Sequence, residues 1–214
     1  MPLNKYRYIV VEGPIGAGKT SLAKRLAEHG GAATLLEKPQ DNPFLARFYE
    51  DAARYALPTQ LFFLFQRIDE VRELTQMDMF QSRTIADYLF DKDDLFARLT
   101  LSDDEYTLYQ SIYRSLAPQA PAPDLVIYLQ APIDVLIERV RRRGHRHERT
   151  IRDDYLARLA GGYREFFHHY SAAPVLVVNS ENLNFVDNAD DFKLLLDRIG
   201  RMRGQREYFN VGGD

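Results

Sequence analysis

Residues Gly13-Pro14-Ile15-Gly16-Ala17-Gly18-Lys19-Thr20 fit the pattern G-x-x-x-x-G-K-[ST] without a mismatch. The chemistry this spacing serves is the holding of linked phosphates. Glycines at 13, 16 and 18 let backbone N–H groups turn inward around phosphate oxygens. A helix beginning near Gly18 adds its positive end, Lys19 reaches the β- and γ-phosphates, and Thr20 offers a hydroxyl to Mg²⁺. The nucleotide cradle expected here is Gly13, Gly16, Ala17, Gly18, Lys19, Thr20 and Ser21. The spacing G-x-G-x-x-G is absent, which argues against a nicotinamide cofactor.

Three further groups carry candidate chemistry. Glu37 closes a strand-like run, where a carboxylate can take a proton from an attacking hydroxyl; alone, it also reads as a turn glutamate. Asp87 follows another such run and is suited to Mg²⁺, or to capping a helix. In Gln60-Leu61-Phe62-Phe63-Leu64-Phe65-Gln66-Arg67, an amide and a guanidinium lie seven residues apart, on one face of a helix. That helix reads as opening at Pro58-Thr59 and as mostly buried, since it is apolar nearly all round. Gln60 and Arg67 then need polar partners. A bound polar ring would serve, and so would Asp69, Glu70 or Glu73 for Arg67. Finally, Arg139, Arg141, Arg142, Arg143, Arg146 and Arg149 surround Gly144. Beside a triphosphate site such a segment reads as a mobile lid; elsewhere it would be a solvated face.

The elements that must position these groups are five short β-like runs: Tyr6 to Val11, Ala33 to Leu36, Thr84 to Ala86, Leu125 to Leu129 and Val175 to Val178. Helical patterns separate them, including Leu22 and Leu26 after the glycine loop. This alternation predicts an α/β fold with a five-stranded parallel sheet and helices on both faces. Each run ends at a polar residue, and ligands of such sheets bind outside the carboxyl ends of the strands. The proline-rich stretch Pro118 to Asp124 reads as a tight connection rather than a linker, so residues 1–214 are expected to form a single domain with its lid at about 139–150.

Composition narrows the function classes. Of 214 residues, 28 are basic and 31 acidic, and the net charge of −3 argues against a polybasic nucleic-acid binder. No cysteine is present, which excludes disulfide scaffolds, Cys-ligated zinc and cysteine nucleophiles. Met1 to Lys5 carries no apolar signal core, and no apolar run approaches the roughly 20 residues of a membrane span. A cytoplasmic protein with no nucleic-acid or membrane partner is expected.

Several ordered blocks go further: Glu-Gly-Pro-Ile-Gly-Ala-Gly-Lys-Thr, Glu-Lys-Pro-Gln-Asp-Asn-Pro-Phe-Leu, Phe-Tyr-Glu-Asp, Leu-Pro-Thr-Gln-Leu-Phe-Phe-Leu, Ala-Asp-Tyr-Leu-Phe-Asp-Lys-Asp, and Tyr-Leu-Gln-Ala-Pro before the arginines. From Tyr6 to about Phe192 the chain resembles the deoxyribonucleoside kinases, and among them the bacterial deoxyadenosine/deoxyguanosine/deoxycytidine type. The resemblance implies a P-loop fold, ATP and Mg²⁺, a deoxynucleoside acceptor and a homodimer formed through a helix bundle. It also implies roles. Glu37 falls on the base that serves the 5′-hydroxyl, and Tyr49 on the tyrosine that holds the 3′-hydroxyl. Gln60 falls on the reader of the base edge, Arg67 and Asp93 on a pair that reads the other side. Arg139 and Arg143 fall in the lid, and Glu148 on a lid acid near the sugar. The family's acidic residue followed by arginine appears here as Asp87-Tyr88. Lys92 is the expected substitute for the missing charge, or Arg83 if the strand is shifted. The alternatives to a deoxynucleoside kinase are a monophosphate kinase of thymidylate type and a P-loop sensor without turnover.

Overall fold

The computed structural model describes residues 2–77, 83–116 and 120–211. The elements run β1 (Tyr8–Glu12), α1 (Lys19–Gly30), β2 (Ala33–Leu35), α2 (Leu45–Glu50), α3 (Ala52–Met77), β3 (Thr84–Ala86), α4 (Asp93–Thr100), α5 (Asp103–Leu116), β4 (Leu125–Gln130), α6 (Ile133–Arg143), α7 (Asp153–His169), β5 (Val175–Asn179), α8 (Ala189–Arg201) and β6 (Arg206–Phe209). The strands form one parallel sheet in the order β2-β3-β1-β4-β5-β6.

Alternation along the strands assigns the two faces. Ile9, Val11, Ile127 and Val178 pack with Leu22 and Leu26 of α1, Leu136 of α6 and Leu195 of α8. Val10, Val126 and Val177 face the other way, onto Leu95 of α4 and Leu159, Tyr163 and Phe167 of α7. Strands covered on both faces read as unbroken apolar runs, which is why the four inner strands β1, β3, β4 and β5 stand where expected; β2, also where expected, is a partly exposed edge strand. A separate core of Leu64, Ile68, Val71, Ala97 and Tyr109 joins α3, α4 and α5.

Two expectations need correction. The sheet has a sixth strand, β6. Its sequence, Arg206-Glu207-Tyr208-Phe209, lacks an apolar run because it is an edge strand with partial cover. Pro58 does not open a helix; it lies inside α3, which starts at Ala52. Asp51 supplies the start, its Oδ1 accepting from the Arg54 amide at 3.3 Å. The missing N–H of Pro58 leaves the Arg54 carbonyl without its helical bond, and the helix continues through it. The Phe-rich stretch is mostly buried, as expected, with Phe65 half exposed. Pro118 lies outside the described residues. Residues 120–124 form an irregular approach to β4, pinned where Asp124 accepts the amides of Arg7 and Tyr8 at 2.6 and 2.9 Å.

Candidate active site

The carboxyl ends of β1, β2 and β3 open onto one cavity of about 970 Å³. At one end lies the glycine loop. Gly16, Gly18, Lys19, Thr20 and Ser21 line the cavity, with Gly13 and Ala17 buried beneath. Gly16 and Gly18 have φ of 89° and 94°, the left-handed region that side chains disfavour. A Cβ on Gly16 would lie 2.7 Å from the Leu136 carbonyl, whereas Gly18 faces open space. The Lys19 ammonium is folded over its own loop, donating to the carbonyls of Gly13 at 2.8 Å and Pro14 at 3.3 Å. Burial lowers its pKa, against the opposing pull of Glu12.

Thr20 and Asp87 meet across the rim. The Thr20 hydroxyl donates to Asp87 Oδ2 at 2.5 Å, and Asp87 Oδ1 accepts from the Glu37 amide at 2.7 Å. No cluster of three or more His, Cys, Asp or Glu among the described residues is arranged around a metal. A hydroxyl and one buried carboxylate nevertheless fit Mg²⁺, which is commonly held by one or two carboxylates with waters and phosphate oxygens completing its shell.

The other end of the cavity is built from charges. Arg67 of α3 donates Nη2 to Glu37 Oε1 and sets Nη1 against Asp93. Lys92 Nζ stands 3.4 Å from Glu37 Oε1 and 3.6 Å from Glu12 Oε2. Burial alone would raise the Glu37 carboxyl, but Lys92 and Arg67 outweigh it and hold it down at about 2. Glu37 is therefore ionised and clamped between two cations. Asp93 is 1% exposed and does not line the cavity; it stands behind Arg67, and no other donor among the described residues reaches its carboxylate. Of the acids considered as partners for Arg67, Asp69 pairs with Arg72 instead, and the side chain of Glu73 lies outside the described residues.

The cavity is also walled by the rings of Phe63, Phe96, Tyr155 and Tyr163. Gln60 projects into it, buried, with no hydrogen bond to any described residue. Tyr49 of α2 packs against Phe48 and Tyr155. Burial and the neighbouring Tyr155 and Glu148 push its pKa well up, so it is a neutral phenol able to donate and accept.

The arginine-rich segment expected to act as a lid contributes unevenly. Arg143 reaches the cavity and grips Glu148, Nε to Oε2 at 3.1 Å and Nη2 to Oε1. His145, Arg146 and His147 line the same wall. Arg139 does not: it donates to the carbonyl of Ser180 at 2.6 Å and its hydroxyl at 3.2 Å, beyond β5. Its partner is a segment remote in sequence, which spacing within the arginine cluster could not reveal.

Position 88 resolves the register question. β3 starts at Thr84 as expected, so Arg83 sits at the opposite rim, bound to Gly30 O and Asn4 Oδ1. Tyr88 is buried, its ring 5.8 Å from the Arg67 guanidinium and 5.9 Å from the Lys92 ammonium. The tyrosine thus forms an aromatic floor beneath both cations. Sequence reasoning missed the Arg67–Glu37 pair, the aromatic walls and Glu12. The one visible signal for Glu12 was a carboxylate ending an apolar strand.

A family model described as deoxynucleoside kinase matches residues 9–202. The chain belongs to the deoxynucleoside kinase family. As a member it is a phosphotransferase. Among its relatives, a deoxyguanosine kinase of Bacillus subtilis (strain 168) is 33% identical over 196 residues, covering 89% of this chain and 95% of the relative. A deoxyadenosine kinase of Lactobacillus acidophilus is 30% identical over 205 residues, covering 89% and 94%. The structure of deoxyadenosine kinase from M. mycoides with bound dCTP superposes with a TM-score of 0.77 at 21% identity, covering 91% of this chain and all of that one. The same kinase with dCMP and dCDP gives 0.80 at 22%, with the same coverage. These structural likenesses establish the deoxynucleoside kinase fold.

Proposed function

We propose that this kinase transfers the γ-phosphoryl group of ATP to the 5′-hydroxyl of a deoxynucleoside, with deoxyadenosine and deoxyguanosine favoured and deoxycytidine within reach. The observation that carries the reading is the placement of Gln60, a buried amide with unused hydrogen-bonding capacity, in the one cavity that also holds the glycine loop, Glu37 and several aromatic rings. A flat ring stacked there would meet both an amide donor and an acceptor.

In this reading the Gly13–Ser21 loop holds the triphosphate, and Lys19 leaves its carbonyl partners for the β- and γ-phosphates. Mg²⁺, held by Thr20 and Asp87, would neutralise phosphate charge. Tyr49 and Glu148 hold the sugar, which requires Arg143 to release Glu148 and turn to the phosphates. The hydroxyl oxygen bonds to the γ-phosphorus as the bond to the β–γ bridging oxygen breaks, ADP departs, and Glu37 accepts the hydroxyl proton. A carboxyl held at about 2 is a weak proton acceptor. That suits a loose transition state, in which positioning and charge neutralisation dominate and the proton moves late. Lys92 supplies the positive charge that the Asp87-Tyr88 pair lacks, and Asp93 orients Arg67 from behind. Arg139 would act only by leaving Ser180.

We further propose one kinase unit over residues 1–214 with its lid at about 139–150, acting in the cytoplasm. No helix among the described residues is long and apolar enough to cross a membrane. Exposed Phe65 on α3 and Leu108 and Leu116 on α5 support a homodimer through these helices. A monophosphate kinase would need a cation free for the acceptor phosphate, and Arg67, the arginine at that end, is engaged by Glu37 and Asp93. A radiometric assay of the four deoxynucleosides alongside their monophosphates tests the proposal. Phosphorylation of monophosphates alone would overturn it.

A further inference from the structure

Glu12 is the last residue of β1, and its side chain is entirely buried. The preceding Ile9, Val10 and Val11 show what the strand otherwise uses there. A buried carboxylate is tolerated only with a full set of partners, and Glu12 has four, from three parts of the chain. Oε1 accepts the Gly13 amide at 3.0 Å, the first residue of the phosphate loop, and the Tyr163 hydroxyl at 3.0 Å, from α7. Oε2 accepts the Leu89 amide at 2.6 Å, from the segment after β3, and faces Lys92 Nζ at 3.6 Å.

Three of these partners are neutral and fixed by backbone or core packing. The fourth is the ammonium that also faces Glu37, at 3.4 Å from Oε1 and 3.5 Å from Oε2. Lys92 therefore stands between two carboxylates of different kind. Glu37 lines the cavity and must exchange its partners when a hydroxyl arrives. Glu12 does not line the cavity and has no spare position. A lysine is a flexible point charge on four methylenes. Held by Glu37 alone, it would follow that carboxylate or turn to the incoming phosphates.

We propose that Glu12 is a positioning residue for phosphoryl transfer: its buried carboxylate fixes the Lys92 ammonium beside the acceptor and couples it to the first residue of the phosphate loop. The inference rests on the role given to Lys92 above. It explains how a lysine can do the work of a rigid guanidinium, since the fork that an arginine carries within itself is here supplied by a second residue.

The test is a double-mutant cycle on the full-length enzyme, reading kcat and KM for ATP and for the deoxynucleoside that the wild type uses best. Glu12→Gln removes the charge and keeps an acceptor for one of the two backbone amides, a structural cost that the cycle subtracts because it is common to both backgrounds. It should lower kcat about ten- to a hundredfold, a coupling typical of directly interacting groups, with both KM values changing less than about threefold. In a Lys92→Met background the same substitution should lower kcat by less than about twofold. Equal losses in the two backgrounds would show that Glu12 acts through the loop or the fold, and would overturn the proposal. Should Glu12→Gln fail to fold, Glu12→Asp takes its place. It keeps the charge but withdraws it by one methylene, and its kcat loss must likewise vanish in Lys92→Met. If Lys92→Met alone leaves kcat unchanged, the role of Lys92 falls first, and that result is distinct from an uncoupled cycle.

Discussion

The two ends of the cavity are built on different principles. The donor end is a run of nine consecutive residues, Gly13 to Ser21, whose working parts are mostly backbone. Its glycines matter for the shapes they permit. The acceptor end draws Glu37 from the segment after β2, Tyr49 from α2, Gln60 and Arg67 from α3, Lys92 from before α4, and Glu148 from the lid. Its working parts are side chains, and the charged ones, Glu37, Arg67, Lys92 and Glu148, are each held by another. A site made of backbone tolerates any sequence context that supplies its turn. One made of mutually paired charges fails as a set, because a charge that loses its partner stays buried.

The sharpest break in this comparison comes from the donor end. Lys19→Ala should abolish turnover while the melting temperature stays close to wild type, since the ammonium touches only its own loop. Loss of folding, or wild-type kcat, would contradict the assignment. Next in size is Glu37→Gln, which keeps the shape and removes the charge. Its kcat should fall about 10²–10⁴-fold with little change in deoxynucleoside KM. A kcat within about threefold of wild type would take Glu37 out of the mechanism.

Lys92→Met tests whether the acceptor charges act as a set. It should lower kcat more than it raises KM, because the charge acts mainly on the transition state. It should also shift the pH profile. Glu37 is held at about 2 against an ordinary 4.5, so in the wild type it contributes no acid limb to kcat/KM near neutrality. The stability from its pairing is present in full above 4.5 and is lost as pH falls through 2. Removing Lys92 should move that acid limb, and the acid unfolding midpoint, upward. An unmoved limb would mean that Arg67 alone holds Glu37 down.

The smallest expected effect concerns the base. Thymidine should be a poor substrate, disfavoured about ten- to a hundredfold. Its methyl group would press on Arg67, which Asp93 backs, and leave buried polar groups unmatched, at roughly 1–3 kcal/mol. Arg67→Met with Asp93→Ala should raise thymidine activity relative to deoxyadenosine, even though overall kcat falls because Glu37 loses a clamp. A wild type that prefers thymidine would show that this pair does not read the base.

The same contrast explains what could be read without coordinates. The donor loop was legible because its chemistry is contiguous, and the four inner strands because burial on both faces leaves unbroken apolar runs; the edge strand β2 was legible only as the short run between two helical patterns. β6 was not, since an edge strand carrying Arg206 and Glu207 looks like a charged loop. The start of α3 was masked by Pro58, a stronger local signal than Asp51 but the wrong one. At the acceptor end, residue types were readable, and the pairing of Arg67 with Asp93 was implied by the resemblance, but the pairing of Arg67 with Glu37 was not. Arg67 was assigned to a base or to surface acids, yet it lies against Glu37, thirty residues away in sequence. Lys92 could be named as the replacement charge, but choosing it over Arg83 required the rim on which each one lies.

The contact beneath Gly16 has a consequence for anyone wishing to exchange lids among relatives of this enzyme. The absent methyl of Gly16 is what lets the loop rest on Leu136 O and Val140 Cγ2, at 2.7 and 3.1 Å from where a Cβ would stand. Both atoms belong to α6, the helix whose far end carries Arg143. The loop and α6 are therefore two sides of a single plate, and the leaf that follows begins only after Gly144, where the backbone turns left-handed at φ 65°. A transplanted lid has to bring α6 with it and keep residue 16 without a side chain. A graft joined after Gly144 exchanges the leaf and leaves the plate intact.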